Sequence, residues 1–131
     1  MPRFSESSRQ RLLTCDGRLI HICSEIIPVY DFKVLYGHRG EDIQNRLFDQ
    51  GLSKLRYPQS KHNSYPSLAV DLAPWPVDWQ DEDRFCVLAG MVLYVGRKLG
   101  VNIRWGGDWD QDDVVADTRW RDLGHFEIVD P

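Results

Sequence analysis

The spacing of apolar residues along the chain predicts four helices. Between residues 18 and 27 and between residues 81 and 99, apolar positions recur every three or four residues, as on the buried side of a helix. A shorter helix can begin after Ser5, whose hydroxyl suits the N-cap position, and another can end before Gly51. The predicted helices span residues 5–13, 18–27, 41–50 and 81–99.

Four short segments have the pattern of strands. Residues 31–36 alternate apolar and polar side chains, which places Phe32, Val34 and Tyr36 on one side. Apolar runs that are too short for helices follow later in the chain, and the last of them is predicted to begin at His125. The predicted strands span residues 31–36, 68–72, 101–105 and 125–129.

The order of these elements and the size of the chain indicate one mixed domain. Helices and strands alternate, but the strands are short and their connections irregular, which favours an α+β fold. The 131 residues suffice for a hydrophobic core without covalent cross-links, so a single domain over residues 1–131 is expected. The three cysteines, without a Cys-x-x-Cys motif, do not indicate a disulfide framework, and Cys86 is expected to lie in the core.

Charge and hydropathy exclude two classes of function. The net charge is −4, but five Asp residues lie between residues 108 and 117 with no Lys or Arg among them, so the acidity is largely local. No basic stripe indicates nucleic-acid binding, and no apolar run approaches the roughly 18 residues of a membrane span. The N-terminus lacks the apolar segment of a signal peptide, so the host cytoplasm is the expected location.

Three residues are candidates to hold a metal ion. Catalytic zinc sites use three imidazole or carboxylate ligands and leave one position for water. His62 lies in a long loop, Asp71 lies within an apolar strand, and His125 opens the last predicted strand. A carboxylate in an apolar strand has to be paired, hydrogen-bonded or bound to metal, because burying an isolated charge is costly. Spacing alone leaves alternatives open: an ion pair of Asp71 with Arg39 or Arg104, and a core role for His125.

Three short motifs around these residues resemble one peptidase family. They are, in order, Ser60-Lys61-His62, Ala69-Val70-Asp71 and Asp122-Leu123-Gly124-His125. They resemble the zinc peptidases that include D-Ala-D-Ala carboxypeptidases, vancomycin-resistance dipeptidases and phage L-alanyl-D-glutamate endolysins, and the short chain looks most like the phage endolysins. The resemblance covers residues 30–129 and implies that family's fold, a small antiparallel sheet with packed helices that Hedgehog signalling domains share.

The resemblance implies a zinc centre and a proton carrier. His62, Asp71 and His125 would hold the zinc, which acidifies a water and polarises the scissile carbonyl. Asp122, at the family's position for the catalytic acid, would pass the water's proton to the leaving amine. Glu127 lies two residues after His125, on the same side of a strand, and is expected to support this histidine; the role of base is the alternative.

Arg39 and Ser60 also have expected roles. Arg39 follows a Gly-x-Arg pattern in which the family's Arg meets the substrate carbonyl or the oxyanion, and a surface ion pair is the alternative. Ser60 is expected to hydrogen-bond within the His62 loop. The chain departs from the family in residues 63–70, where the gap before Asp71 is longer than usual and lacks Gly. This turn therefore has to bulge outward if the ligands are to meet.

The function implied is that of a phage endolysin, which hydrolyses the L-Ala–D-Glu bond of peptidoglycan stem peptides by a zinc-activated water. A monomer is expected, which leaves the host cytoplasm through a holin or at lysis. The alternatives are a D-Ala-D-Ala carboxypeptidase or dipeptidase, and a non-catalytic zinc-containing module that binds the cell wall. The presence of Asp122 and Arg39 favours an enzyme, because a binding module needs neither. Of the nearby Trp105, Trp109 and Trp120, one is expected to line the peptide groove.

The acidic loop suggests a second cation. Asp108, Asp110 and Asp112 alternate along it and Asp117 adds a later carboxylate, much as EF-hand loops present oxygens to calcium. Asp113 stands at the sixth position, where EF-hand loops have Gly. Some of the phage endolysins that the chain resembles carry a regulatory calcium site in the matching loop. We therefore expect Ca²⁺ to order the loop and complete the active site; a solvated loop is the alternative.

Overall fold

The computed structural model of the protein describes residues 1–130, so the last residue of the predicted domain lies outside the described part. Over these residues the chain forms four α-helices, four strands and one 3₁₀ turn. The helices are α1 (Glu6–Leu12), α2 (Gly17–Ile26), α3 (Glu41–Asp49) and α4 (Glu82–Lys98). The strands are β1 (Phe32–Tyr36), β2 (Ala69–Pro74), β3 (Ile103–Gly106) and β4 (Asp122–Ile128), and the 3₁₀ turn is Lys61–Asn63.

The strands form one antiparallel sheet in the order β1-β2-β4-β3. The last strand of the chain therefore lies inside the sheet, beside β2, and brings distant parts of the sequence together. Helix α4 packs on β2, β3 and β4, and α2 packs on α4. The α+β fold and its small antiparallel sheet, both expected from the sequence, are confirmed. None of the helices in residues 1–130 combines the length and the apolar character needed to cross a lipid bilayer.

Side chains alternate between the two faces of β2 and β4, and this separates the core from the candidate site. On one face, Val70, Leu72, Phe126 and Ile128 are at most 1% exposed and pack into the core with α2 and α4. Burial of a large apolar side chain of this kind stabilises a fold by about 1.5–3 kcal/mol. The intervening residues, Asp71 among them, point to the opposite face of the sheet.

Helix α1 covers the outer edge of β1. The hydroxyl of Ser8 accepts a hydrogen bond from the backbone N–H of Val34 at 3.0 Å, and Arg11 donates to the carbonyl of the same residue at 3.1 Å. Ser5 caps the helix, as predicted, by accepting from the N–H of Ser8. Just after β1, Gly37 lies so close to the end of α1 that a Cβ atom there would collide with the Arg11 carbonyl. An edge strand covered in this way is not available to pair with other chains.

Two predictions about single residues are wrong. Strand β4 begins at Asp122 rather than at His125. Gly124 therefore lies inside the strand, although the sequence predicted that it precedes the strand. Gly is required at this position because a Cβ atom would collide with the Leu72 carbonyl of β2. Cys86 is exposed rather than buried. The residue before it, Phe85, lies on the buried face of α4, and Cys86 therefore points away from that face. All three cysteines are unpaired.

Candidate metal centre and active site

His62 is held by the 3₁₀ turn that contains it. The hydroxyl of Ser60 accepts a hydrogen bond from the backbone N–H of His62 at 3.1 Å, and the side-chain oxygen of Asn63 accepts from the N–H of Ser60 at 3.0 Å. This reciprocal capping box fixes the turn, and Ser60 lies where the sequence analysis expects it to act. Residues 64–66 after the turn are exposed, so the longer segment before Asp71 does bulge outward.

Asp71 and His125 are direct cross-strand neighbours in β2 and β4. The Nδ1 atom of His125 lies 3.0 Å from Oδ1 of Asp71. The Nε2 atom of His62 lies 3.2 Å from the same oxygen and 3.3 Å from Nδ1 of His125. These three atoms form a compact donor triangle. The triangle depends on strand register, because a shift of one residue would turn His125 to the other face of the sheet.

The second nitrogen of each histidine is bound on the outer side of the donor triangle. Nδ1 of His62 lies 2.7 Å from the carbonyl oxygen of Gly37, and Nε2 of His125 lies 2.8 Å from Oε1 of Glu127. Both acceptors favour the tautomer in which the outer nitrogen carries the proton, which leaves the inner nitrogens free to offer lone pairs. The other oxygen of Glu127 accepts a hydrogen bond from Arg104 at 2.8 Å.

The donor triangle fits a divalent metal ion. Two imidazole nitrogens and one carboxylate oxygen are the donors that zinc takes, and both histidines are buried. Burial raises the pKa of Asp71, but the charges of the two histidines and their hydrogen bonds outweigh it and hold that pKa well below its usual range. Burial lowers the pKa of His125, but hydrogen bonds to Asp71 and Glu127 raise it to about 9. The centre therefore favours bound positive charge.

Arg39 lies behind Asp71 in a buried ion pair. Its Nη2 donates to Oδ2 of Asp71 at 2.6 Å, and its Nη1 donates to the side-chain oxygen of Gln44 at 3.2 Å. Asp71 thus offers one oxygen to the donor triangle and the other to Arg39. Of the two arginines considered as partners, Arg39 and not Arg104 forms the pair. The surface ion pair considered for Arg39 is wrong, because its side chain is only 8% exposed.

Two supports of the centre were not predicted from the sequence. Gln44 in α3 is fully buried, holds Arg39, and donates from its amide to the carbonyl of Leu55 at 2.7 Å. The carbonyl of Gly37 holds His62. Helix α3 is polar at most positions, so no pattern distinguishes its buried glutamine, and a backbone carbonyl has no sequence signal at all.

A cavity of about 250 Å³ opens in front of the donor triangle. His62, His125 and Asp122 all line it. Asp122 is half-buried at the start of β4, and burial, reinforced by the negative charge of Asp71, raises the pKa of its carboxyl. A carboxyl group with a raised pKa can both accept and release a proton closer to neutral pH.

Two tryptophans form one wall of the cavity. The rings of Trp109 and Trp120 are stacked with centroids 6.0 Å apart, and the Trp109 ring lies 5.5 Å from that of His125. The indole N–H of Trp109 donates to the carbonyl of Trp120 at 2.6 Å and ties the two ends of the acidic loop together. Trp105 is buried in the core. The groove is therefore lined by two of these tryptophans, where one was expected.

The acidic loop brings its carboxylates together. One oxygen each from Asp108, Asp110 and Asp112 lies within 4.8 Å of the others. The hydrogen bond to Asp112 and nearby negative charges raise the pKa of Asp117 to about 6. Asp113, at the predicted sixth position, has φ of 65°, the left-handed conformation that Gly usually supplies there.

Comparisons with known proteins agree with this architecture. A sequence profile described as phage L-alanyl-D-glutamate peptidase matches residues 1–129. The L-alanyl-D-glutamate peptidase of Escherichia phage T5 is 28% identical over an alignment of 135 residues, gaps included. The alignment covers 97% of this chain and 98% of that protein. The L-Ala D-Glu endopeptidase ChiX of Serratia marcescens has the same fold, with a TM-score of 0.76 and 24% identity over 97% of this chain and 90% of that chain. Because the profile matches nearly the whole sequence, the chain belongs to the phage L-alanyl-D-glutamate peptidase family.

Proposed function

We propose that this protein hydrolyses the L-Ala–D-Glu bond of peptidoglycan stem peptides, with a zinc ion held by His62, Asp71 and His125. The family match over residues 1–129 supports the peptidase activity. The observation that carries the proposal is the donor triangle, whose sides measure 3.0, 3.2 and 3.3 Å, beside a cavity that also contains a half-buried carboxyl group.

The donor triangle has the number and kind of ligands that catalytic zinc sites use. When bound, zinc polarises the scissile carbonyl and makes a water more acidic. The chain's own contribution is orientation. The carbonyl of Gly37 and the carboxylate of Glu127 fix the two histidine rings, and Arg39 fixes the carboxylate of Asp71.

Asp122 is the proposed proton carrier. It takes a proton from the attacking water and gives it to the leaving amine of D-Glu, so it ends each turnover as it began. Glu127 is a poor candidate for this task, because both of its oxygens are already bound. Burial raises the pKa of Glu127, but hydrogen bonds from His125 and Arg104 outweigh it and lower that pKa to about 2. A carboxylate of such low basicity accepts a proton poorly.

Arg39 is proposed to act through Asp71. Its guanidinium is committed to Asp71 and to Gln44, although the residue also borders the cavity. The contact with the substrate carbonyl that the resemblance implies stays a prediction. Arg39→Lys distinguishes the two roles, because Lys cannot donate to Asp71 and Gln44 in the fixed geometry of a guanidinium. If Arg39 positions Asp71, the substitution should lower zinc affinity. If Arg39 meets the substrate, it should lower kcat alone.

Digestion of purified muropeptides, read by mass spectrometry, tests the proposed activity. The zinc-loaded wild type is expected to release products that end at L-Ala. Asp122→Asn should lose at least about 100-fold in kcat while it binds zinc normally. Asp49→Asn, which removes an exposed carboxylate from a surface ion pair, is the matched control and should stay active.

Two results would overturn the proposal. Release of the terminal D-Ala alone would identify a D-Ala-D-Ala carboxypeptidase. An absence of products from folded, zinc-loaded protein would identify a non-catalytic module that binds the cell wall.

A calcium ion is proposed for the acidic loop. Three carboxylates converge there within 4.8 Å, and the loop carries Trp109 and Trp120 of the cavity wall, so ordering it would shape the cavity. Calorimetry with calcium on zinc-loaded protein should give heat that Asp112→Asn removes. If no heat appears at millimolar calcium and a chelator that spares zinc leaves activity unchanged, the loop has no calcium role.

We propose a monomer as the working unit, because His62, Asp71 and His125 of a single chain suffice to close the donor triangle. Its substrate lies in the cell wall, so we propose that it acts after release from the host cytoplasm, through a holin or at lysis. Size-exclusion chromatography with light scattering checks the monomer.

A further inference from the structure

The cavity in front of the donor triangle is lined by more positive than negative side chains. The cationic residues that line it are Arg39, Lys54, Lys61 and Arg104. The carboxylates that line it are Asp122 and Glu127. A cleft with excess positive charge attracts anionic ligands, so an anionic group of the substrate is expected to lie here.

Three of these four cations are already bound to carboxylates. Nη2 of Arg39 lies 2.6 Å from Asp71, and Nη2 of Arg104 lies 2.8 Å from Glu127. Nζ of Lys61 lies 3.7 Å from Glu127 and also donates to a backbone carbonyl. Their charges are largely balanced by these fixed partners, and moving them toward substrate would disturb the supports of the donor triangle.

Lys54 differs from the other three cations. Among the residues that the structure describes, it forms no ion pair, and its side chain is exposed. Its Nζ lies 5.0 Å above the ring of Trp120. A cation–π contact holds the ammonium at the cavity while its N–H donors stay free for an anion. Trp120 precedes Asp122 by two residues, so Lys54 rests on the wall that leads to the proposed proton carrier.

The chemistry of the substrate supplies an anion close to the proton carrier. Glutamate has two carboxyl groups and a peptide continues through only one of them, so the residue after the scissile bond keeps a free carboxylate unless it is amidated. The amine of that residue is the group to which Asp122 gives its proton. We propose that Lys54 binds this free carboxylate and so selects D-Glu over its carboxamide form. The inference rests on the proposed L-Ala–D-Glu activity and names a specificity-determining residue for it.

Kinetics with two stem peptides test the role of Lys54. The peptides are identical except that D-Glu carries either the free carboxylate or a carboxamide. Zinc-loaded wild type is expected to have a kcat/KM about tenfold higher for the carboxylate, since a hydrogen bond to a charged group has about this strength. The difference should lie in KM, because the contact is present in the ground state and the transition state alike.

Three variants separate charge from packing. Lys54→Met should lower kcat/KM for the carboxylate peptide alone and so remove the preference. Lys54→Arg should keep most of it. Lys33→Met is the matched control, because Lys33 also lies over a tryptophan, 5.6 Å from the ring of Trp75, but does not line the cavity.

The outcomes distinguish failure of this inference from failure of the proposed function. Equal cleavage of the two peptides by wild type would overturn the role of Lys54 and leave the proposed function standing. The same conclusion would follow if Lys54→Met kept the preference or lost activity on both peptides equally. Cleavage of neither peptide by folded, zinc-loaded wild type would overturn the proposed function itself.

Discussion

Replacement of Glu127 by Gln tests how far the proposed metal centre depends on a residue that is not one of the three proposed ligands. The carboxylate lies 2.8 Å from Nε2 of His125 and accepts from Arg104 at 2.8 Å. Gln keeps the size and one acceptor oxygen, but it removes the negative charge that makes the imidazole a stronger donor. Contacts of this kind change metal affinity by about 10–100-fold, so zinc binding should weaken by roughly 1.4–2.8 kcal/mol.

Competition with a chromophoric chelator measures this loss. Arg104 and Lys61 are 34% and 33% exposed, so water can solvate them after the change, but Glu127 itself is buried. The stability of the metal-free protein should therefore fall by about 1–3 kcal/mol in urea unfolding. Asp130→Asn, which removes an exposed carboxylate paired with Arg18, should leave zinc affinity unchanged. Wild-type affinity in Glu127→Gln would refute the reasoning.

Two further substitutions test the sheet and a helix cap. Gly124→Ala should destabilise the protein by about 1–3 kcal/mol in urea unfolding, because its Cβ would collide with the Leu72 carbonyl; Gly90→Ala, in open space on α4, should stabilise it by about 0.5–1 kcal/mol. A hydrogen bond from Arg18 lowers the pKa of Asp16, so the ion pair stabilises the fold above the unfolded pKa of about 4 and is lost as pH falls through the lower folded pKa. Asp16→Asn keeps the N-cap and should cost about 0.5 kcal/mol at roughly pH 7 and nothing at roughly pH 2, as unfolding at several pH values would reveal.

Helices were predictable from the sequence to within one residue at each end, whereas three of the four strands were not. A helix is defined by its own apolar stripe and caps, both of which are local. A strand ends where its partner ends: Pro74 belongs to β2 because it pairs with Phe32, and Asp122 belongs to β4 because it pairs with Gly106. Local hydropathy has no information on such partners.

The motifs were sufficient to predict the three donor residues, but not the groups that hold these residues in place. The donor triangle is supported by the Gly37 carbonyl, the buried Gln44 and the carboxylate of Glu127. Of these, only Glu127 lies close enough in sequence to a motif to be predicted. Lys54 is one lysine in an irregular loop, and its meaning comes from the cavity that it borders. Such roles arise from tertiary contacts between distant segments.

The alternation of core and site residues along β2 and β4 also has consequences for heat inactivation and for engineering of the enzyme. Asp71 and His125 each lie next to core residues of β2 and β4, so these two donors cannot move apart while the core remains packed. Heating should therefore separate Asp71 from His125 only when the whole fold unfolds. The loops at residues 52–59 and 108–121 each contribute side chains to the wall of the same cavity without belonging to the sheet. Mutant libraries designed to change the type of peptidoglycan that is cleaved should therefore vary these loops and leave β2 and β4 unchanged.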